Sequence, residues 1–177
     1  MYICPMSKKR YILIMAGGVG SRFWPASRDS LPKQFLDILG VGKSLIQLTY
    51  ERVKRLVPAE NILIATNEKY KALTLEHLPE IKESNILCEP SRNNTAPCVA
   101  YAALKIEAMD KDAIFAVLPS DHVILKEDEY IDRMNEAFEF AGENDALVTL
   151  GIKPTRADTG YGYIEVGSRF PVPGVRS

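Results

Sequence analysis

The chain has 177 residues, 46% of them apolar and 25% charged, with a formal net charge of −1. That is the balance of one globular domain with a real core, and its net charge gives no reason to expect nucleic acid or an acidic membrane as partner. Cys4, Cys88 and Cys98 are odd in number and widely spaced, which argues against a disulfide framework or a zinc cluster and for reduced thiols in a cytoplasmic protein.

In chain order, Lys8-Lys9-Arg10 followed by Tyr11 to Ala16 superficially resembles the start of a signal peptide, but the apolar run is short and stops at Gly17-Gly18. No run approaches the length needed to span a membrane. Five short apolar runs read as strands: Tyr11–Met15, Asn61–Ala65, Ile86–Cys88, Ala113–Leu118 and Ala146–Leu150. Most are continuously apolar, as strands covered on both faces are. Helical patterns lie between them. Ser44 is placed to cap a helix carrying Leu45, Leu48, Val53 and Leu56 and closed by Pro58. A second runs from Glu68 to Leu78, and a third opens near Asn94-Thr95 with Pro97 in its first turn. A fourth runs from Glu127 to Ala141, with Gly142 where a C-cap belongs.

This alternation predicts an α/β, Rossmann-like fold, a mostly parallel sheet with helices on both faces. After Tyr161-Gly-Tyr-Ile-Glu-Val166, which alternates like a strand, the chain reaches Ser177 without a closing element. A truncated domain is the expectation.

The most informative stretch is Ala16-Gly-Gly-Val-Gly-Ser-Arg-Phe-Trp-Pro-Ala-Ser-Arg-Asp-Ser-Leu-Pro-Lys-Gln-Phe35. It leaves a buried strand directly, at the carboxyl end of the sheet where open α/β folds bind ligands. Gly17, Gly18 and Gly20 let backbone N–H groups approach phosphate oxygens, and Arg22, Arg28 and Lys33 add positive charge. A dinucleotide fingerprint fails because Phe23 stands at its third glycine position, with Pro25 soon after. Gly42-Lys43-Ser44 fails as a P-loop because Asp37 takes the earlier glycine's place, leaving a turn and helix cap.

The segment resembles the signature of nucleotide-sugar pyrophosphorylases. Phe23-Trp-Pro-Ala-Ser-Arg28 and Pro32-Lys-Gln-Phe35 are similar to mannose-1-phosphate guanylyltransferases in particular. The likeness continues, in order, through Glu89-Pro-Ser-Arg-Asn-Asn-Thr-Ala-Pro97, Leu118-Pro-Ser-Asp-His122 and Thr159-Gly-Tyr-Gly-Tyr-Ile-Glu165. It implies the nucleotide-diphospho-sugar transferase fold, with residues 1–177 as the N-terminal, nucleotide-binding part of a nucleotidyltransferase domain and the C-terminal remainder absent.

The reaction implied is attack by a sugar 1-phosphate on the α-phosphorus of a nucleoside triphosphate, with GTP and mannose 1-phosphate as partners and GDP-mannose and pyrophosphate as products. Such chemistry asks a protein to position two anions and neutralise charge. By resemblance, Gly17, Gly18, Gly20 and Ser21 cradle the phosphates, Arg22 stabilises the departing pyrophosphate and Lys33 bridges the reacting phosphates. Asp121, just past an apolar run, suits Mg²⁺, which takes one or two carboxylates plus phosphates and water; a turn cap is the structural alternative. Glu89 is the candidate guanine reader, since a carboxylate accepts N1–H and the N2 amino group together, with Asn94 and Thr95 positioning base or ribose or simply capping a helix. Gly162 and Glu165 would meet the sugar, the alternative being an edge strand with a Tyr/Ile face.

Two departures bear on this. The family has a basic residue immediately before Asn-Thr-Ala-Pro, whereas Asn93 stands here and Arg92 precedes it. A second metal-binding Asp and further sugar contacts belong to segments beyond residue 177, as do oligomer contacts, with a homodimer the assembly to test in the full-length enzyme. The competing readings are a sister enzyme with another base or sugar, which Trp24-Pro25 and Asn94–Pro97 disfavour, and a non-catalytic nucleotide-sugar-sensing subunit, which retained Arg22, Lys33 and Asp121 disfavour.

Overall fold

The computed structural model describes residues 9–18, 23–89 and 95–164. Four strands, β1 (Arg10–Met15), β2 (Ile62–Asn67), β3 (Ile86–Glu89) and β4 (Ile114–Pro119), form one sheet in the order β3-β2-β1-β4. Every pairing is parallel, and Met15 of β1 stands level with Ala65 of β2 and Pro119 of β4. The four helices are α1 (Leu45–Val53), α2 (Lys71–His77), α3 (Thr95–Met109) and α4 (Glu127–Glu143).

Continuously apolar strands need cover on two sides, and the strand period of two divides that cover. Ile12, Ile14, Ile62, Ile64 and Ile86 point to one face, where Ile46, Tyr50 and Val53 of α1 and Met134 and Phe138 of α4 pack on them. Tyr11, Leu13, Leu63, Ala65 and Leu87 point to the other, where Cys98, Ala102 and Ile106 of α3 cover them. The expected doubly covered parallel sheet is therefore the fold. Ile12, Ile14, Ile62 and Ile64 are fully buried, each contributing on the order of 1.5–3 kcal/mol of transfer free energy.

Gly42-Lys43-Ser44 is a turn and cap, as expected. Gly40 and Gly42 have φ of 69° and 77°, and Asp37 accepts hydrogen bonds from the N–H groups of Val41 and Gly42 at 3.0 and 2.6 Å. Ser44 caps α1, and Gln47 reaches back to its N–H at 2.8 Å.

Three expectations need correction. Ala146–Leu150 is not a strand: it has no regular structure, and Leu147 is fully exposed. Its residues suit a strand, but a strand also needs partners for its N–H and C=O groups, and the described sheet ends at β4. Gly142 does not end α4, which runs on to Glu143; Asn144 supplies the cap, its N–H and its Nδ2 donating to the Phe140 carbonyl at 3.0 and 2.8 Å. The Thr159–Glu165 stretch makes a turn at Thr159-Gly160, but Tyr161–Ile164 do not continue as a strand and are exposed.

Candidate functional site

The four strands end on one side, and the chain leaving β1 and β4 there brings Lys33 and Asp121 together. Their side chains form an ion pair with 28% and 22% of their surfaces exposed. Lys33 opens a short 3₁₀ turn, Lys33–Phe35, and its Nζ lies 5.9 Å from the centre of the Phe23 ring, within cation–π range.

Buried neutral bonds hold this pair in place. Gln34, 1% exposed, donates its Nε2 to the carbonyl of Ala16 at 2.7 Å, tying the turn to the end of β1. Thr66 of β2 donates to the same carbonyl at 3.2 Å, and the Ala16 N–H donates to Ala65 at 2.7 Å. Phe35 packs its ring against Tyr70 and His77, with centroids 6.2 and 5.1 Å away. On the other side the Ser120 N–H donates to Met15 at 3.0 Å, and its carbonyl accepts from Thr49 of α1 at 3.2 Å. Asp121 follows directly. Each charged group thus sits one residue away from a residue locked to the core.

Glu89 ends β3 beside Asn67, whose Nδ2 donates to its carbonyl at 3.5 Å. Its carboxylate faces Gly17: a Cβ built on that glycine would stand 4.0 Å from Glu89 Oε2. A side chain in place of this glycine would begin at ordinary contact distance from the carboxylate. Burial first, then the nearby Glu89 charge, pushes the Cys98 thiol up to about 11. Gly18 is exposed, and an added Cβ would meet nothing within 4 Å.

The structure therefore gathers Lys33 and Asp121, and separately Gly17 and Glu89, at the carboxyl edge of the sheet. Thr95 is exposed at the start of α3. Gly162 belongs to an exposed loop whose hydrogen bonds include internal ones: Tyr163 Oη accepts from the Asp158 N–H at 2.7 Å, and Asp158 Oδ1 accepts from Gly160 at 2.9 Å. Arg28 is exposed, and its Nε donates to Pro25 at 3.2 Å, closing its own turn. Gly20, Ser21, Arg22, Asn94 and Glu165 lie outside the described residues.

Sequence reasoning missed Gln34, Thr49 and Thr66. Gln34 stood inside a quoted motif, but only its burial shows it to be a clamp. Thr66 lies one residue past the predicted strand Asn61–Ala65; a polar residue at the end of an apolar run is the signal that could have found it, because buried polar groups need partners.

Among the described residues no group of three or more His, Cys, Asp or Glu could hold a metal ion. Among the described residues, Asp121 is the carboxylate that pairs with Lys33. That fits a Mg²⁺ held chiefly by substrate phosphates, with one protein carboxylate. Among the described residues no helix is long and apolar enough to cross a membrane, and Cys88 and Cys98 are free.

A family model described as Nucleotidyl transferase matches residues 11–175. Mannose-1-phosphate guanylyltransferase of Salmonella montevideo is 44% identical over 157 residues, which make up 88% of this chain and 32% of that protein. Xanthan biosynthesis protein XanB of Xanthomonas campestris pv. campestris is 43% identical over 157 residues, 88% of this chain and 33% of that one. A crystal structure described as mannose-1-phosphate geranyltransferase from Thermus thermophilus superposes with a TM-score of 0.65 at 36% identity, covering 74% of this chain and 38% of that one. The chain thus spans about a third of the length of the curated relatives it matches.

Proposed function

The chain belongs to the nucleotidyl transferase family, and from that premise we propose that its protein transfers GMP from GTP to mannose 1-phosphate, giving GDP-mannose and pyrophosphate. A phosphate oxygen of the sugar phosphate forms a bond to the α-phosphorus of GTP while the bond from that phosphorus to the β-phosphate bridge breaks. No covalent enzyme intermediate is needed. The protein's task is to hold two anions in line and balance charge that shifts onto pyrophosphate.

The observation that supports this reading is the meeting of Lys33 and Asp121 at the carboxyl edge of the sheet, with the Lys33 turn tied through Gln34 to Ala16 at the end of β1. In the reading, Lys33 leaves its carboxylate partner to bridge the reacting phosphates, and backbone N–H groups of Gly17, Gly18, Gly20 and Ser21 would donate to them. Arg22 would neutralise the leaving pyrophosphate. Asp121 would hold Mg²⁺, which supplies charge neutralisation at phosphate oxygens when bound. Glu89 would accept N1–H and the N2 amino group of guanine, while Asn94 and Thr95 would steady base or ribose. Gly162 and Glu165 would face the sugar hydroxyls. The guanine and mannose preferences draw further support from the Salmonella montevideo relative, whose name carries both.

The test is pyrophosphate release by the intact protein across a panel of nucleoside triphosphates and hexose 1-phosphates. GTP with mannose 1-phosphate is expected to give the highest kcat/KM. Faster release with another pair replaces the assignment with a sister activity, and no release with any pair makes the protein a non-catalytic binder. Asp121→Asn is expected to lower the rate and its dependence on Mg²⁺; an unchanged Mg²⁺ dependence removes Asp121 as the metal's ligand.

A further inference from the structure

Lys33 keeps 28% of its side-chain surface exposed, so its neighbours must set its position. On its C-terminal side Gln34 and Phe35 are buried. On its N-terminal side the residues from Arg28 to Leu31 are exposed, and burial does not hold them. Arg28 and Leu31 exchange backbone hydrogen bonds at 3.0 Å around Asp29-Ser30. Those bonds close a small loop but do not fix where it stands.

Tyr70 reaches both sides of the lysine. It ends the short 3₁₀ turn Glu68–Tyr70 that follows β2, is 2% exposed, and its carbonyl accepts from the buried Thr74 hydroxyl at 2.9 Å. Its ring lies 6.2 Å from the Phe35 ring, centre to centre. Its hydroxyl donates to the Asp29 carbonyl at 3.1 Å and stands 3.3 Å from the Asp29 carboxylate. Lys69 joins that carboxylate at 2.6 Å, but this pair is exposed and adds little by itself. A buried tyrosine needs a partner for its hydroxyl. Here the partner is main chain upstream of Lys33, while the ring meets a residue downstream of it.

We propose that Tyr70 is a positioning residue for Lys33, its hydroxyl and ring bracing the Asp29–Phe35 segment from both ends so that the ammonium meets the reacting phosphates in one place. The inference rests on the reading of Lys33 as the residue that bridges those phosphates. Tyr70 acts through that lysine. Small displacements of a charge-stabilising group cost rate steeply, which is why a brace outside the site matters to turnover.

The experiment measures kcat of the intact protein, well below its melting temperature, in wild type, Tyr70→Phe, Lys33→Ala and the double variant. Tyr70→Phe keeps the buried ring and removes only the hydroxyl. It is expected to lower kcat about threefold to tenfold, the scale of one modest hydrogen bond. In the Lys33→Ala background the same change is expected to alter kcat less than about twofold, because residues that act through one another are not additive. Hydrogen exchange supplies a readout apart from activity: the bonded amides of Arg28, Leu31, Phe35 and Leu36 should exchange faster in Tyr70→Phe while those of β1 and β2 do not. A Tyr70→Phe kcat equal to wild type overturns the role, and so does an equal loss in both backgrounds. Exchange that is unchanged in that segment, or faster in β1 and β2 as well, does the same. Near-normal turnover of Lys33→Ala removes the reading of Lys33 itself, and with it the role of Tyr70.

Discussion

The two halves of the site are held by different means. At the β1–β4 side, Lys33 and Asp121 carry opposite charges and find each other from distant parts of the chain, each beside a residue bonded to the core through Gln34 or Thr49. At the β3 side, Glu89 is held through its backbone, by the β2–β3 pairing and a bond from Asn67, and its carboxylate stands beside Gly17. A charged pair fixed by buried neutral clamps suits a task common to every triphosphate. A carboxylate held only through its backbone at a strand end, as the proposed base reader Glu89 is, suits discrimination among bases.

If that division is right, damage to the first half should reduce turnover with all triphosphates alike, and damage to the second should change their ranking. The largest effect belongs to Lys33→Ala, expected to lower kcat by about 10²–10³-fold, as loss of a preorganised charge-stabilising donor does. The ratio of kcat/KM for GTP to that for inosine triphosphate should stay within about twofold of wild type, well inside one hydrogen bond's worth of discrimination; a variant that keeps near-normal turnover removes Lys33 from the chemistry.

Next is Thr49→Val, which preserves shape but leaves the buried Ser120 carbonyl without its donor. Chemical denaturation should show a loss of about 1–3 kcal/mol, and steady-state kinetics a lower kcat with unchanged base preference. A shift in base preference would mean that the two halves are not separable.

Gly17→Ala probes the place where the proposed phosphate segment meets the Glu89 carboxylate. The added methyl meets only the Glu89 carboxylate, at ordinary contact distance, so the melting temperature should stay close to wild type. The KM for GTP should rise several-fold on the scale of about 1 kcal/mol. A kcat loss without a KM change would move this contact out of the base site.

The smallest effect concerns pH. His77 packs on Phe35, the last residue of the Lys33 turn, and its Nδ1 lies 2.8 Å from Ser44 Oγ. Burial holds its imidazole below the usual 6.5, against a weaker opposing pull from Glu76. The folded state therefore binds protons less readily than the unfolded one. This contribution to stability is present above the unfolded value of 6.5 and is lost as pH falls below it toward the folded value. Thermal melts should show a modest decline below pH 6.5 that His77→Asn flattens; equal pH profiles would exclude His77 as its source.

Much of the fold was legible because the strands are apolar on both faces. Tyr11–Met15 and Ile114–Leu118 have few alternatives as short, bounded, continuously apolar runs. Ala146–Leu150 has a similar composition and failed, since composition reports preference while pairing depends on what lies alongside. Gly142 failed for a related reason. A glycine near a helix end reads as a cap, but Asn144 makes the capping bonds two residues later. Of the site, the charged residues were visible by type and place, and Lys33 and Asp121 do meet. Gln34 and Thr49 were not visible, because their importance lies in being buried against one particular oxygen.

The carbonyl of Ala16 receives Gln34 from the Lys33 turn and Thr66 from β2, while its own residue is bonded through N–H to Ala65. Gly17, beside Glu89, is the next residue in the chain. One peptide thus serves as the common origin from which both halves of the site are measured. A displacement of that peptide would be passed to the Lys33 turn through Gln34 and to Gly17 through the chain. The span between them, over which a triphosphate and its base would have to stretch, is then steadier than the position of either.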